Sequence, residues 1–179
     1  MSGSGILRRF RSDKRGVAAV EFAFIAPILI MMYFAVAEYT QGMIVKRRVS
    51  HVASTIADLT SRVVQVNAAG TADIFSVGRT IIAPLSTTSL RMRLTSITAD
   101  GSNVSRIDWA DTSNWTGTAA VVGSTVTVPS GVIAANQSVI RAEVQYTYDS
   151  PVRYLIPTGI LMTQTYYLRP RLSNQVTHN

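Results

Sequence analysis

The chain has 179 residues, of which 47% are hydrophobic and 15% charged, and it contains no cysteine. This length accommodates one modest domain with appendages, and the lack of cysteine excludes disulfides, thiolate zinc sites and iron–sulfur clusters. The formal net charge is +7, but residues 1–16 alone contain five basic residues and one acidic residue. A basic tail before an apolar run is typical of the cytoplasmic flank of a membrane segment. We therefore predict a membrane partner and no nucleic-acid partner.

The first element in chain order is an apolar run of 21 residues at positions 17–37, whose one charged residue is Glu21. About 20 apolar residues cross a ~30 Å hydrocarbon core as a helix. Five basic residues precede the run and three follow it at 46–48, so the charge bias places the N-terminus in the cytoplasm. In a bacterial host the remaining chain would then lie in the periplasm. The alternative is a signal peptide cleaved after Ala37, although the run exceeds the usual 7–15 residues of such segments.

Two residues inside the run are unusual for a simple anchor. A carboxylate such as Glu21 costs up to ~2.5–3.5 kcal/mol at the centre of a membrane helix and less near its end, so it indicates a function. Pro27 has no backbone N–H, which leaves the Ala23 carbonyl without its helical partner. The alternative interpretation is a tolerated proline and a carboxylate that reaches the lipid headgroups.

The string KRGVAAVEF at 14–22 places Gly16 at the end of the basic leader and Glu21 at the fifth position counted from Val17. This arrangement resembles the processing site of type IV pilin-like proteins. Over residues 8–39 the chain resembles the TadE/TadG-like family of Flp (Tad) pilus assembly proteins. The residues that carry this resemblance are Arg15, Gly16, Ala18, Ala19, Val20, Glu21, Phe22 and Pro27.

The resemblance implies a minor pilin or pseudopilin of a type IVb pilus that a prepilin peptidase cleaves after Gly16. Its other implied partners are minor pilins and Tad assembly proteins. Val17 would carry the new α-amino group, which Glu21 would neutralise in its own chain or in a neighbouring subunit. Glu21 and Pro27 would set the axial register of the helix. The alternative function is a single-pass inner-membrane protein with a periplasmic ligand-binding head that is never processed or polymerised.

After the apolar run, hydrophobic residues recur at helical spacing, which predicts one helix over residues 17–66. The alternative is two helices, separated by a break at 40–42. Gly and Asn are common stop signals, so residues 67–70 are predicted to end it. A second short helix is predicted next, capped by Thr71 or Asp73 and ending before Pro84.

From Ser89 the pattern changes to short segments of alternating hydrophobicity, which predicts strands. With no helix between them, these strands favour a small antiparallel sheet. The predicted fold is therefore α+β: a leader at 1–16, a membrane-spanning and amphipathic helix at 17–66, and a head domain at 67–179. The predicted strands start near Ser89 and continue at 104–109, 120–128, 138–148 and 160–168.

No recognisable catalytic motif is present, and the two histidines, His51 and His178, are far apart in sequence. We therefore expect neither an enzyme nor a cofactor or metal site. Trp109 and Trp115 lie close to acidic residues; core or edge packing is favoured over binding of a sugar or a pilin. The basic residues at 46–48 either reach lipid headgroups or form a docking patch. The apolar segment 151–157 either folds over the sheet end or contacts lipid or a neighbouring subunit.

Overall fold

The computed structural model describes residues 15–151, 153 and 158–179. Helix α1 spans Arg15–Ser61, helix α2 spans Ala68–Ile82, and a four-stranded antiparallel sheet follows. The predicted α+β class is therefore confirmed. Most of the predicted leader and most of the predicted apolar segment at 151–157 lie outside the described residues.

Helix α1 has 47 residues and continues through Pro27 and Gly42. The predicted single helix is therefore confirmed through 40–42, and the alternative of two helices is wrong; at 1.5 Å per residue the helix is about 70 Å long. It ends at Ser61 and not at Val66, because Gln65–Val66 form a short strand, β1. Strand β1 pairs in parallel with β6, Thr177–His178, near the C-terminus. This long-range pairing ends the helix earlier than its hydrophobic spacing indicated.

Helix α2 begins where the sequence predicted only a stop. Asn67 has extended backbone angles, and its side-chain Oδ1 accepts a hydrogen bond of 2.8 Å from the Gly70 N–H. Asn67 is thus the N-cap, in place of the predicted Thr71 or Asp73, because its short amide satisfies one of the four free N–H groups of the first turn. The predicted end before Pro84 is confirmed, since α2 ends at Ile82.

The sheet has the strand order β3-β2-β4-β5, and every neighbouring pair is antiparallel. The predicted strands at 138–148 and 160–168 are confirmed as β4 and β5. The predicted strand at 120–128 is wrong: this segment forms one isolated bridge, between Arg106 and Thr125. The strands are β2 at Leu90–Ala99, β3 at Ser105–Ser113, β4 at Ser138–Tyr148 and β5 at Ile160–Leu168.

The core lies between one face of the sheet and the two helices. Helix α1 packs on β4 and β5, and α2 packs on α1 and β3. Alternate β4 residues are buried towards the helices, as the period of two predicted. The central buried side chains are Val45, Val49, Val52, Ile56, Ile82, Leu94, Ile140, Ala142 and Val144.

Candidate functional site

The residues of the predicted processing site lie at the start of α1. The described part of α1 starts at Arg15, so the Gly16–Val17 bond lies at the beginning of the described helix. No atom lies within 4 Å of a β-carbon built at Gly16, and Val17 is 54% exposed. The described structure thus leaves this bond open to another molecule.

Glu21 follows Val17 by four residues, so the two lie on the same side of α1, one turn apart. Its side chain is exposed, and no ion pair involves it within the described part of the chain. The geometry therefore places Glu21 within one turn of any charge at Val17.

Pro27 lies about 1.7 turns after Glu21, on a helix that continues past it. The structure thus places Val17, Glu21 and Pro27 on one helix, as the sequence predicted, and adds Gly16, which the sequence predicted to lie in the leader before that helix. Their proposed roles in processing and register depend on partners that a single chain does not include.

The first half of α1 has apolar side chains on all sides and no protein packed against them in the described structure. Phe22 and Phe24 are 68% and 74% exposed, and the most apolar 18-residue window of the helix has no buried residue. By length and composition, α1 is one helix that could cross a membrane. A helix that is apolar all round requires either lipid or other helices around it.

One comparison with known proteins matches part of the chain. Residues 16–58 match the family model of TadE-like proteins. The predicted resemblance is therefore confirmed for this part of α1, which we call the TadE-like segment. The match ends before the sheet. No curated protein and no solved structure matches the chain.

Sequence reasoning missed Glu38, which lies where the TadE-like segment passes from its exposed half to its packed half. Its side chain is only 1% exposed, although it is the first charged residue after the apolar run. The position of Glu38 directly after the apolar run was the signal in the sequence that could have marked it as a candidate. Seven residues later, Val45 begins the buried stripe of α1.

The basic residues that follow in the TadE-like segment have different environments. Arg48 donates a hydrogen bond from its guanidinium to the Ala83 carbonyl, which joins α1 to the end of α2. Lys46 and Arg47 are exposed. Arg48 is therefore a structural contact of the head, while both interpretations of its two neighbours stay open.

In the head domain, the residues around Trp109 form structural contacts. Trp109 is buried and donates a hydrogen bond of 2.7 Å from Nε1 to the Val176 carbonyl. Asp108 accepts hydrogen bonds from Ser96 and Thr98 of the neighbouring strand β2. These contacts confirm the packing interpretation for Trp109.

Asp111, on the same strand, holds two other parts of the head. Its Oδ2 accepts a hydrogen bond of 2.5 Å from the Thr71 hydroxyl and lies 2.9 Å from Nε2 of His178. The histidine ring also contacts Trp109, with ring centroids 5.3 Å apart. In the described ranges, no group of three His, Asp or Glu side chains is placed to hold a metal ion.

Trp115 lies on the opposite face of the sheet. The guanidinium carbon of Arg93 is 4.3 Å from the centroid of its ring, and Arg93 also forms a salt bridge of 2.7 Å with Glu143. Arg141, which is 8% exposed, has its Nε 3.2 Å from the same carboxylate oxygen, Oε2 of Glu143. Two guanidinium groups thus share one carboxylate beside a cavity of about 380 Å³.

Proposed function

We propose that this chain is a minor pilin or pseudopilin of a Flp/Tad type IVb pilus, cleaved after Gly16 by a prepilin peptidase. The observation that carries the proposal is the Gly16–Glu21 pair at the start of a helix whose apolar half has no protein partner among the described residues. The TadE-like match at 16–58 supports the association with the Tad pilus.

In this proposal the chain crosses the inner membrane once, with the basic leader in the cytoplasm and the head in the periplasm. The leader remains at the anionic headgroups because its five basic residues follow the positive-inside rule. The exposed apolar half of α1 first contacts lipid and then contacts other pilin helices. Its interactions are non-covalent, and no catalytic step is assigned to the chain.

Cleavage creates an α-amino group at Val17 close to the membrane boundary. Glu21 neutralises this charge from one turn away in its own chain or from a neighbouring helix. An ion pair in an apolar environment adds little net stability, but it disfavours every register that leaves one charge unpaired. Pro27 contributes an unpaired carbonyl at Ala23 that a neighbouring side chain can bond. Together these features favour one axial position.

Mass spectrometry of the membrane-extracted chain tests the cleavage. Cells with an active prepilin peptidase should yield a chain that begins at Val17, and cells without it should yield a chain that retains residues 1–16. The Gly16→Leu variant should stay uncleaved, because a side chain at this position obstructs approach to the bond. Gly42→Ala is the matched control in the same helix, since a β-carbon there lies 3.9 Å from the Tyr148 ring. Retention of residues 1–16 in peptidase-positive cells would disprove the proposal.

The role of Glu21 separates the proposal from the single-pass alternative. Glu21→Gln keeps the side-chain shape and removes the charge, and Glu21→Ala removes both. We expect both variants to insert in the membrane and to abolish pilus assembly, measured by counting pili. Normal piliation with both variants would favour the single-pass protein that is never polymerised.

The cavity beside Arg93 and Arg141 gives that alternative a concrete site. Because two guanidinium groups share the carboxylate of Glu143, the site has an excess positive charge that suits an anionic ligand. In the alternative function this cavity is the ligand-binding site of the periplasmic head. Glu21 variants would then leave function unchanged, whereas Arg141→Gln would remove it.

A further inference from the structure

The two edges of the sheet differ in how they are protected against pairing with another chain. At β3, the segment 123–126 covers the first residues of the edge: the Ile107 N–H donates to the Ser124 carbonyl, and the Val126 N–H donates to the Ser105 carbonyl. The strand also carries three charged residues, and its pairing with β2 contains a bulge. Charges, bulges and covering loops are the usual protection of exposed edges.

Strand β5 forms the other edge, and within the part of the chain that the structure describes it has none of these features. Its nine residues, ILMTQTYYL, include no charge and no proline. Its register with β4 is regular from Ile160 opposite Tyr148 to Leu168 opposite Ile140. No β5 residue is buried, and within the described ranges no segment pairs with its outer side. Such an edge is a template for an additional strand.

The C-terminal part of β5 borders a groove that side chains of an additional strand could enter. A groove of about 340 Å³ lies between α1 and β5, lined by small or polar helix residues and by two strand residues. Asp58, its one acidic residue, already forms ion pairs with Arg62 and Arg171. An uncharged strand with small or apolar side chains fits this groove best. The lining residues are His51, Ser54, Thr55, Asp58, Tyr166 and Leu168.

The direction of β5 restricts which chain can pair with it. Gly42 of α1 lies near Tyr148, which is opposite Ile160, whereas Asp58 lines the groove beside Leu168. Helix and strand therefore run in the same direction. Antiparallel pairing of two β5 strands would reverse α1 in the second copy, so both copies could not cross one membrane in the same sense. The β3 edge of a second copy is protected.

We propose that the β5 edge binds an uncharged β-strand of a different membrane-anchored polypeptide, with small or apolar side chains directed into the groove beside α1. This inference rests on the membrane anchoring in the proposed function. It assigns to the head domain a subunit contact that is separate from packing of the apolar helices.

Site-specific photocrosslinking in native membranes tests the proposal on the full chain. A photoreactive residue is placed at Leu161, Thr163 or Thr165, three exposed positions on one face of β5. Mass spectrometry of the crosslinked peptides should identify one uncharged segment of another polypeptide. When the probe moves from Leu161 to Thr163 and then to Thr165, the crosslinked residue of the partner should shift by two positions each time, because side chains alternate in a strand. Crosslinks to a second copy, to lipid alone or to scattered sites would overturn the proposal.

A pair of proline variants provides the matched control. Successive strand residues point their N–H groups to opposite sides, so one of Thr163→Pro and Gln164→Pro removes a bond to β4 and the other acts only at the free edge. The variant that retains the thermal stability of the chain should lose crosslinking at Leu161. Persistent crosslinking in that variant would overturn the proposal. A chain cleaved after Gly16 that lacks these crosslinks would refute the edge contact and leave the proposed function standing.

Discussion

At the scale of single residues, Gly78 is fixed by the close approach of α2 to α1 and the sheet. A β-carbon built there would lie 2.6 Å from Met92 Sδ and 3.2 Å from Val52 Cγ1. Both neighbours are buried and belong to different elements. A glycine inside a helix costs up to about 1 kcal/mol relative to alanine, so this packing must offset that cost.

We predict that Gly78→Ala destabilises the head in spite of its better helix propensity. Overpacking of a filled core costs about 1–3 kcal/mol. The gain in helix propensity from glycine to alanine is at most about 1 kcal/mol, so the cost of overpacking is the larger effect. The measurement is thermal unfolding of the full chain in detergent, followed by circular dichroism. Gly42→Ala is the control and should be neutral or stabilising, because its β-carbon has room. Equal stability of the two variants would contradict the packing argument.

Tyr146 is a second residue whose environment makes a prediction. Burial raises the pKa of its hydroxyl, the charge of Asp149 raises that pKa further, and a hydrogen bond with the Ser86 backbone lowers it. A raised pKa in the folded state means that the folded chain keeps its proton at pH values where the unfolded chain has lost it. The stabilisation is therefore complete below the unfolded pKa near 10 and is lost as pH rises through the folded pKa.

We predict that Tyr146→Phe makes the stability of the head less sensitive to pH above 10. The phenylalanine variant has no proton to lose at this position, so its free energy of unfolding should fall less steeply with pH. Urea unfolding of both chains at several alkaline pH values measures this slope. An unchanged slope in the variant would show that other groups cause the alkaline loss of stability.

At the scale of elements, the C-terminal segment, residues 171–179, forms hydrogen bonds with the end of α1, with β1 and with the edge strand β3. The Arg171 N–H donates to the Ser61 carbonyl, the last of the helix, and β6 pairs with β1. Val176 is fully buried, and its carbonyl accepts the hydrogen bond from Trp109 Nε1. The segment is thus held by one buried indole and by backbone pairing.

We predict that Trp109→Phe costs about 1–3 kcal/mol of stability, because it leaves the Val176 carbonyl without its buried donor. Residues 173–179 should also exchange their amide hydrogens faster. Trp115→Phe is the matched control, since Trp115 lies on the opposite face of the sheet and its Nε1 donates no hydrogen bond in the described structure. Hydrogen exchange with mass spectrometry measures both effects. Equal changes in the two variants would contradict this role of Trp109.

The elements also show which parts of the fold the sequence could predict. Strands β4 and β5 were predictable because the alternation of their side chains is a local property of the sequence. Each of them is also long and contains neither glycine nor proline. The end of α1 was not, since β1 forms only by pairing with residues about 110 positions away. Segment 120–128 has the apolar alternation of a strand, but Gly123 has a positive φ of 81° and the chain turns there.

The candidate functional residues also fall into two groups: those that the sequence could predict and those that only the folded structure shows. Gly16 and Glu21 could be found from the sequence because their spacing along one helix is a local property. The β5 edge could not be found from the sequence. Which strands form the edges of the sheet, and that a groove lies between β5 and α1, is known only from the folded structure. Glu38 lies between these cases: its position after the apolar run is visible in the sequence, but its burial is not.

At the scale of the whole molecule, α1 joins two environments along one continuous axis. Its first half is exposed and apolar, and its second half forms the centre of the head. Because the helix is continuous through Gly42, movement of the membrane half is transmitted to the sheet without an intervening loop. The head is therefore held in a fixed orientation relative to the exposed apolar half of α1. In the proposed function, this connection would hold β5 parallel to the helix that crosses the membrane, which suits pairing with another anchored chain.

We predict that the N-terminus is cytoplasmic and the head periplasmic. The chain has no native cysteine, so a single introduced cysteine reports its own location without background. Ser130→Cys, at an exposed position of the head, should react with a membrane-impermeant maleimide in intact spheroplasts. Ser12→Cys in the leader should react only after the membrane is permeabilised, provided that the peptidase is absent and the leader is retained. Labelling of Ser12→Cys before permeabilisation would show the opposite topology. The Gly16–Val17 bond would then be on the wrong side of the membrane for a peptidase that acts at the cytoplasmic face.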